Sequence, residues 1–356
     1  MKNKRGLFVA FYLPQYHQVR ENDEWWGAGF TEWVSTAQAR PLFPGHFQPN
    51  IPERLGFYNL TNPEDQIKQS DLSIEYGIDA FCYWHYWLGE GRRILEKPLE
   101  IMLANRGVKQ KFCLGWANHD WKGVFFGAKN KCLLQQKYLG ISDYDAHFYA
   151  ILPALKDTRY FKLKSKNVFY IYLPKKIPNC IEFIERWREL ARQNSLPDFY
   201  FVGEGVNLKD KEGLGLDAVS YTRHRHLEGG KINNKYLAFA YKKLFGERGL
   251  KVHKYKDASK YFLKDGAIEL REHPSIITGW DTTPRLGRKA FILTKRSPDL
   301  FYKHVSEVVK RSNHIPSDEN LIFVKSWNEW AEGNYLEPDR KNGTEYLEAF
   351  KKAIYV

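Results

Sequence analysis

Cysteine is sparse in this 356-residue chain: Cys82, Cys113, Cys132 and Cys180 show no CxxC pairing and no metal-ligand spacing. Cys82 and Cys113 sit inside apolar runs and read as small core residues. Long hydrophobic stretches are also missing, and no run approaches the roughly 18 apolar residues of a membrane span. The basic start, Met1 to Arg5, leads into a stretch broken by Pro14, Gln15 and His17 that has neither the core nor the cleavage site of a signal peptide. The expected location is cytoplasmic. No phosphate-cradling glycine loop follows a strand, and there is no G-x-S-x-G elbow, which counts against kinase, dehydrogenase and hydrolase-triad chemistry. Acidic residues are outnumbered 42 to 55, leaving a net charge of +13. Yet no block of five or six like charges occurs, and the densest stretch, Lys242 to Lys264, interleaves lysine with apolar and aromatic residues. Solvated faces explain that spread better than a polyanion site, so no nucleic-acid partner is expected. The charge leaves an anionic glycan or peripheral contact with an acidic membrane open.

Aromatic residues, by contrast, are abundant: 16% of the chain, with 11 Trp, 22 Tyr and 23 Phe. Beyond what a core needs, such residues build stacking platforms for sugar rings or bases. Short apolar runs of strand length recur eight times, at 7–13, 80–87, 111–117, 168–173, 199–203, 218–221, 276–280 and 321–327. Helical-period segments separate them, at 63–76, 95–105, 143–156, 181–194, 257–271, 298–312 and 344–354. Asn62 before Pro63 is a candidate N-cap. Near-continuously apolar strands alternating with helices imply parallel strands buried on both faces. Eight of them predict an α/β fold of the (β/α)8 TIM-barrel class, one catalytic domain over 1–356. A long insert after the first strand, roughly Gln15 to Asn62, carries Trp25, Trp26, Trp33, Phe43, Phe47 and Phe57. Loops of that length are usually functional or disordered, and the aromatics argue against disorder.

In barrel enzymes the working residues sit at the C-terminal ends of the strands and just beyond. Reading only those positions, with Trp33 from the insert, yields candidate substrate-binding residues Tyr12, Gln15, Tyr16, His17, Trp33, Trp84, His85, Tyr86, Trp116, Asn118, Trp121, Glu204, Trp280, Asp281, Trp327, Asn328 and Trp330. Aromatics beside amides and carboxylates suit a pyranose, whose C–H faces stack while its hydroxyls hydrogen-bond. The sharpest feature is Glu329 and Glu332, three residues apart after the eighth strand. Glycoside cleavage needs two carboxyl groups at one bond. If Asn328 onward is helical, the pair shares a face and should split into one protonated and one ionised group. A bare E-x-x-E is commonplace on solvated helices; its flanking tryptophans and its place at a strand mouth raise its weight here. His85 and His119 read equally as hydroxyl binders or as core and loop residues. His224 and His226, beside Arg223 and Arg225, could meet an anionic group. No metal is expected, since His85, His119 and Asp120 lack supporting spacing, and no cofactor is expected.

Several segments together resemble a known family: Phe11-Tyr-Leu-Pro-Gln-Tyr-His17, Glu21 to Gly27, Gly29-Phe-Thr-Glu-Trp33, Gly77 to Tyr83, Gly279-Trp-Asp-Thr-Thr-Pro-Arg285 and Trp327-Asn-Glu-Trp-Ala-Glu-Gly333. The chain resembles, over nearly its whole length, the WbsX-like proteins found with bacterial O-antigen and capsule assembly genes. These were named glycosyltransferases but look like relatives of the family 99 glycoside hydrolases, endo-α-mannosidases and endo-mannanases. The resemblance implies a (β/α)8 barrel and a retaining, endo-acting hydrolase working on a surface polysaccharide or its lipid-linked precursor. By the same resemblance Glu329 acts as base on the sugar's own 2-hydroxyl, giving a 1,2-anhydro intermediate, and Glu332 is the general acid and base. Ala331 stands where family 99 has histidine, a difference that bears on sugar specificity more than on reaction type. A glycosyltransferase and a non-catalytic glycan-binding barrel are the alternative expectations. No D-x-D segment lies at a strand end to hold a nucleotide-bound metal; Asp143-Tyr-Asp145 reads as a helix cap.

Overall fold

A computed structural model describes residues 3–122, 132–223, 227 and 250–355. His224, His226 and the stretch 242–249 of the basic segment lie outside the described residues. Eight parallel strands form the frame: β1 Leu7–Tyr12, β2 Ala80–Trp87, β3 Lys111–Trp116, β4 Lys166–Ile171, β5 Phe199–Glu204, β6 Ala218–Tyr221, β7 Glu272–Ile277 and β8 Leu321–Lys325. Each pairs with its sequence neighbour, and β1 closes the ring by pairing with both β2 and β8, as in Val9 beside Ala80 and Val9 beside Phe323. The (β/α)8 barrel is thus closed. All eight residues of β2 are buried, as are all of β7 and β8. Both faces of these strands are covered, so the sequence reads apolar without alternation.

Three of the described helices begin on a short polar side chain that caps them. Between β1 and β2 lie α1 Arg20–Trp26, α2 Glu32–Gln38 and α3 Pro63–Glu75; Asn62 accepts from the Glu64 amide at 3.2 Å at the start of α3. The later helices are α4 Lys97–Ala104, α5 Ile141–Leu155, α6 Cys180–Gln193, α7 Pro298–Arg311 and α8 Glu345–Ile354. Asn179 caps α6, and Ser297 caps α7 ahead of Pro298. Asp143 is not a cap: Gly140 opens α5, and the Asp143 carboxylate instead holds the β2 mouth through Trp87 Nε1 and the Glu90 amide.

Two expectations fail for local reasons. The helix expected at 257–271 shrinks to Tyr255–Ala258 and the 3-10 turn Ser259–Tyr261. Gly266 adopts φ +86° and Arg271 φ +68°, conformations that an α-helix does not contain. Strand β7 begins four residues earlier than expected because its polar start is satisfied by partners distant in sequence. Glu272 pairs with Lys264, and the Tyr200 hydroxyl meets His273 at 3.1 Å. Among the described residues, no helix is long and apolar enough to cross a membrane.

The aromatic insert is ordered by packing. Trp33 donates from Nε1 to the Tyr58 carbonyl at 2.8 Å and lies against Tyr16, Tyr58 and Trp330. His46 and Gln48 then dock the middle of the insert onto Asp281 beyond β7, at 2.8 and 2.7 Å.

Candidate active site

The C-terminal ends of the strands surround a cavity of about 840 Å³. Of the residues expected at the mouth, Gln15, Trp84, Tyr86, Asn118, Trp121, Glu204, Trp280, Glu329 and Glu332 line it. The chain leaves β8 through Trp327 and makes a small hairpin, Asn328–Glu329 antiparallel to Asn334–Tyr335, joined by the 3-10 turn Trp330–Glu332. No α-helix starts at Asn328. Its side chain is clamped to the backbone of Leu13, accepting from the amide at 2.7 Å and donating to the carbonyl at 3.0 Å. Gly333, at φ +59°, ends the turn after three residues. Side chains three apart eclipse in a 3-10 turn, and both glutamates still face the cavity.

One guanidinium organises them. Arg285, on the turn Thr283–Leu286 after β7, hydrogen-bonds Glu332, lies 3.4 Å from Glu329 and reaches Glu32 of the insert at 3.1 Å. Three carboxylates thus share one buried cation. Burial, reinforced by the charge of Glu332 and only partly offset by Arg285, pushes the Glu329 carboxyl up to about 8. Burial likewise raises Glu32, against the pull of Arg285. Burial thus favours the protonated form of Glu329. Arg285 and Glu32 were both missed as site residues. Both lie in segments that carry the family resemblance, Arg285 at the end of Gly279–Arg285 and Glu32 within Gly29–Trp33, but only folding brings the insert over the barrel and shows that the two meet. Tyr138, Tyr172, Asp120, Lys176 and Lys325 also line the cavity.

The other expected residues lie behind this wall, where their polar atoms are used in holding it. Tyr12 donates to Gln69 Oε1, and Tyr16 donates to the Asn328 carbonyl and accepts from the Trp330 amide. His17 Nδ1 meets the Pro14 carbonyl, and Trp116 donates to the Trp87 carbonyl. Trp327 is fully buried among the barrel aromatics beside Phe81. Trp330 stacks on Tyr335 and donates to Glu337 at 2.6 Å. Glu337 also accepts from Gln69 and Tyr58, and burial raises it to about 7. His85 is a core residue, 2.8 Å from His147 and neutral, because burial and then Arg93 lower it to about 3. Asn118 lines the cavity, but its amide is spent on Leu173 and Tyr138. Asp281 binds His46, Gln48 and the Thr283 amide, while its own amide donates to the Glu332 carbonyl at 2.6 Å. It positions the turn that carries Glu332.

That contact makes Gly333 sensitive. A Cβ there would lie 2.7 Å from the Asp281 Cβ and 2.8 Å from its amide nitrogen, and the residue is already in the left-handed region. Gly333→Ala should lower stability by about 2 kcal/mol or more, from backbone strain plus overpacking. Because the shift falls on Glu332, ligand binding to the cavity should weaken as well. Denaturant unfolding measures the first effect; an unchanged midpoint would show that the turn can rearrange freely.

Comparison with solved structures finds similar barrels. A protein described as glycoside hydrolase-like superposes with a TM-score of 0.61 at 15% identity, covering 100% of this chain and 96% of its own. The GH99 endo-alpha-mannosidase from Bacteroides thetaiotaomicron gives 0.54 at 17% identity, with 97% and 95% covered. At such identities the likeness is one of fold. In sequence the chain is 31% identical to the uncharacterized protein WxcX of Xanthomonas campestris pv. campestris, over 98% of its own length. The chain spans about half the length of the curated relatives it matches. Residues 8–350 match the model of one family, described as Glycosyltransferase WbsX, and with that match over nearly every barrel element the chain belongs to the WbsX family.

Proposed function

We propose that the protein, acting through one catalytic domain over 1–356, is a retaining, endo-acting glycoside hydrolase of a bacterial surface polysaccharide or its precursor. The observation that carries the reading is the pair Glu329 and Glu332, facing one aromatic-walled cavity, with the proton held on one member and the other bonded to Arg285. Two carboxyl groups in different protonation states are what general acid–base cleavage of a glycosidic bond requires. The family resemblance assigns Glu329 to the sugar's 2-hydroxyl and Glu332 to the leaving oxygen. In the free site the proton is on Glu329, so those roles need one proton to pass from Glu329 to Glu332 when substrate enters. Arg285, which touches both, can follow that exchange without leaving the cluster.

Carbohydrate supports the reading from the walls as well: Trp84, Tyr86, Trp121, Tyr138, Tyr172 and Trp280 stand among the polar lining residues. The family's description as a glycosyltransferase keeps transfer as the second reading. Against it, the described lining carries Glu32, Glu204, Glu329, Glu332 and Asp120 beside Arg285, Lys325 and Lys176, an acidic excess ill suited to a nucleotide diphosphate. A cytoplasmic, membrane-apposed site of action would place the substrate among lipid-linked precursors.

The deciding assay incubates the protein with polysaccharide and with lipid-linked repeat units from a strain carrying the gene, beside Glu329→Gln and Glu332→Gln. Wild type alone should release oligosaccharide. Transfer from a sugar nucleotide that survives both substitutions would overturn the hydrolase. Binding that persists in all three proteins, with no turnover by wild type, would identify a glycan-binding barrel. An aryl glycoside with a good leaving group separates the roles, since the variant lacking the general acid retains the more activity on it.

A further inference from the structure

The floor of the cavity holds a pair of opposite charges that the protein leaves unsaturated. Lys325, the last residue of β8, is 8% exposed, and Glu204 closes β5. Their nearest atoms, Lys325 Nζ and Glu204 Oε2, are 3.7 Å apart, beyond hydrogen-bond range. Glu204 Oε2 is buried and forms no hydrogen bond of normal geometry, with the Tyr170 hydroxyl close by. Besides the charge of nearby Glu329, the Lys325 ammonium meets ring faces, at 4.5 Å from Phe11, 5.2 Å from Trp84 and 5.8 Å from Tyr172. An ammonium carries three donors, and a buried polar atom left unmade is costly enough to call for a reason. Lys325, Glu204, Trp84 and Tyr172 all line the cavity.

We propose that Lys325 and Glu204 form a subsite for a neutral sugar ring bearing two adjacent free hydroxyl groups. Lys325 Nζ donates to one hydroxyl oxygen, and the Glu204 carboxylate accepts the proton of its neighbour. The pair of hydroxyls spans the two charged groups from the cavity side, and Trp84 and Tyr172 wall the ring. A uronate or phosphate would satisfy Lys325 but would bring a second anion against Glu204 in a desolvated setting, so the pair selects against acidic sugars. A site built to bond hydroxyls also rejects analogues that lack them far more strongly than an apolar pocket rejects a missing methylene. The subsite rests on the reading of the cavity as a carbohydrate site and does not depend on hydrolysis.

The test is binding of monosaccharide probes to the full chain, by titration calorimetry and saturation-transfer NMR. The probes are the methyl pyranosides of mannose, glucose and galactose, their singly deoxygenated derivatives, and methyl glucuronide. Wild type should bind at least one neutral pyranoside, lose about tenfold or more on removal of either of two adjacent hydroxyls, and bind the glucuronide more weakly. Glu204→Gln, nearly isosteric, and Lys325→Met should each weaken the preferred probe and become indifferent to loss of the hydroxyl they contacted. If Lys325→Met does not fold, Glu204→Gln carries the comparison. Failure of every neutral pyranoside to bind, tighter binding of the glucuronide, or unchanged preference in the variants would overturn the subsite. Pyranoside binding that follows this pattern without oligosaccharide release would leave the subsite standing and remove the hydrolase reading alone.

Discussion

Glu329→Gln should give a protein that melts higher than the wild type at pH 8 while turning substrate over about a thousandfold more slowly. The stability effect follows from the raised carboxyl. In the unfolded chain Glu329 ionises near pH 4.3, but in the folded protein it keeps its proton to about pH 8. Between those values the unfolded state sheds a proton that the folded state retains, so rising pH favours unfolding across that window. Stability associated with the group is fully present below the lower value and lost by the upper. Glutamine removes the dependence, and the advantage of the variant should grow from nothing near pH 4 to a few kcal/mol, on the order of 2–4, at pH 8. The loss of turnover is the usual scale for a positioned acid or base. Melting curves of both proteins at pH 4.5, 6 and 8 check the sign. A difference that stays flat, or favours wild type at pH 8, would mean the proton is not on Glu329.

Arg285→Met should have the opposite effect on the same cluster. Removing the guanidinium leaves Glu32, Glu329 and Glu332 packed together with their shared cation gone. Deleting one partner of a buried ion cluster typically costs about 3–5 kcal/mol, because the remaining charges stay desolvated. Glu32 and Glu329 can escape by taking up protons, so their folded pKa values rise further above the unfolded ones. The destabilisation should therefore be small near pH 4.5 and increase towards pH 8. Arg285→Lys should recover part of the loss, since it restores a charge but not a fork able to touch three carboxylates. Adding Glu32→Gln to Arg285→Met should also recover part, by removing one of the stranded acids. Equal denaturation midpoints for wild type and Arg285→Met at pH 8 would refute the role of Arg285 as the common counterion.

The two substitutions also show how much of the site was legible beforehand. Glu329 and Glu332 could be singled out from their spacing and from their place after the eighth strand-length run. Gln15, Trp84, Tyr86, Trp121 and Trp280 could be placed at the mouth because strand ends in a barrel converge there. The same rule took in Tyr12, Tyr16, His17, Trp116 and Asn328, which the structure puts behind the wall. A strand end alternates between the cavity and the packing around it, and the order of residues alone does not say which side each one takes. His85 and Trp84 are adjacent in sequence, yet one stacks in the core with His147 and the other faces the cavity.

By itself, then, the sequence determined the barrel and many of the residues that gather at its mouth. Eight apolar runs of strand length with helical periods between them have few ways to bury both faces, and a closed parallel ring is one that covers all of them. Only the tertiary structure decided the state of that chemistry. Glu32 and Arg285 lie 253 residues apart, and their meeting at the glutamate pair depends on the insert packing back over β7. Where the proton rests depends on burial and on charges brought together from those distant segments, and neither quantity is a property of any one stretch of chain.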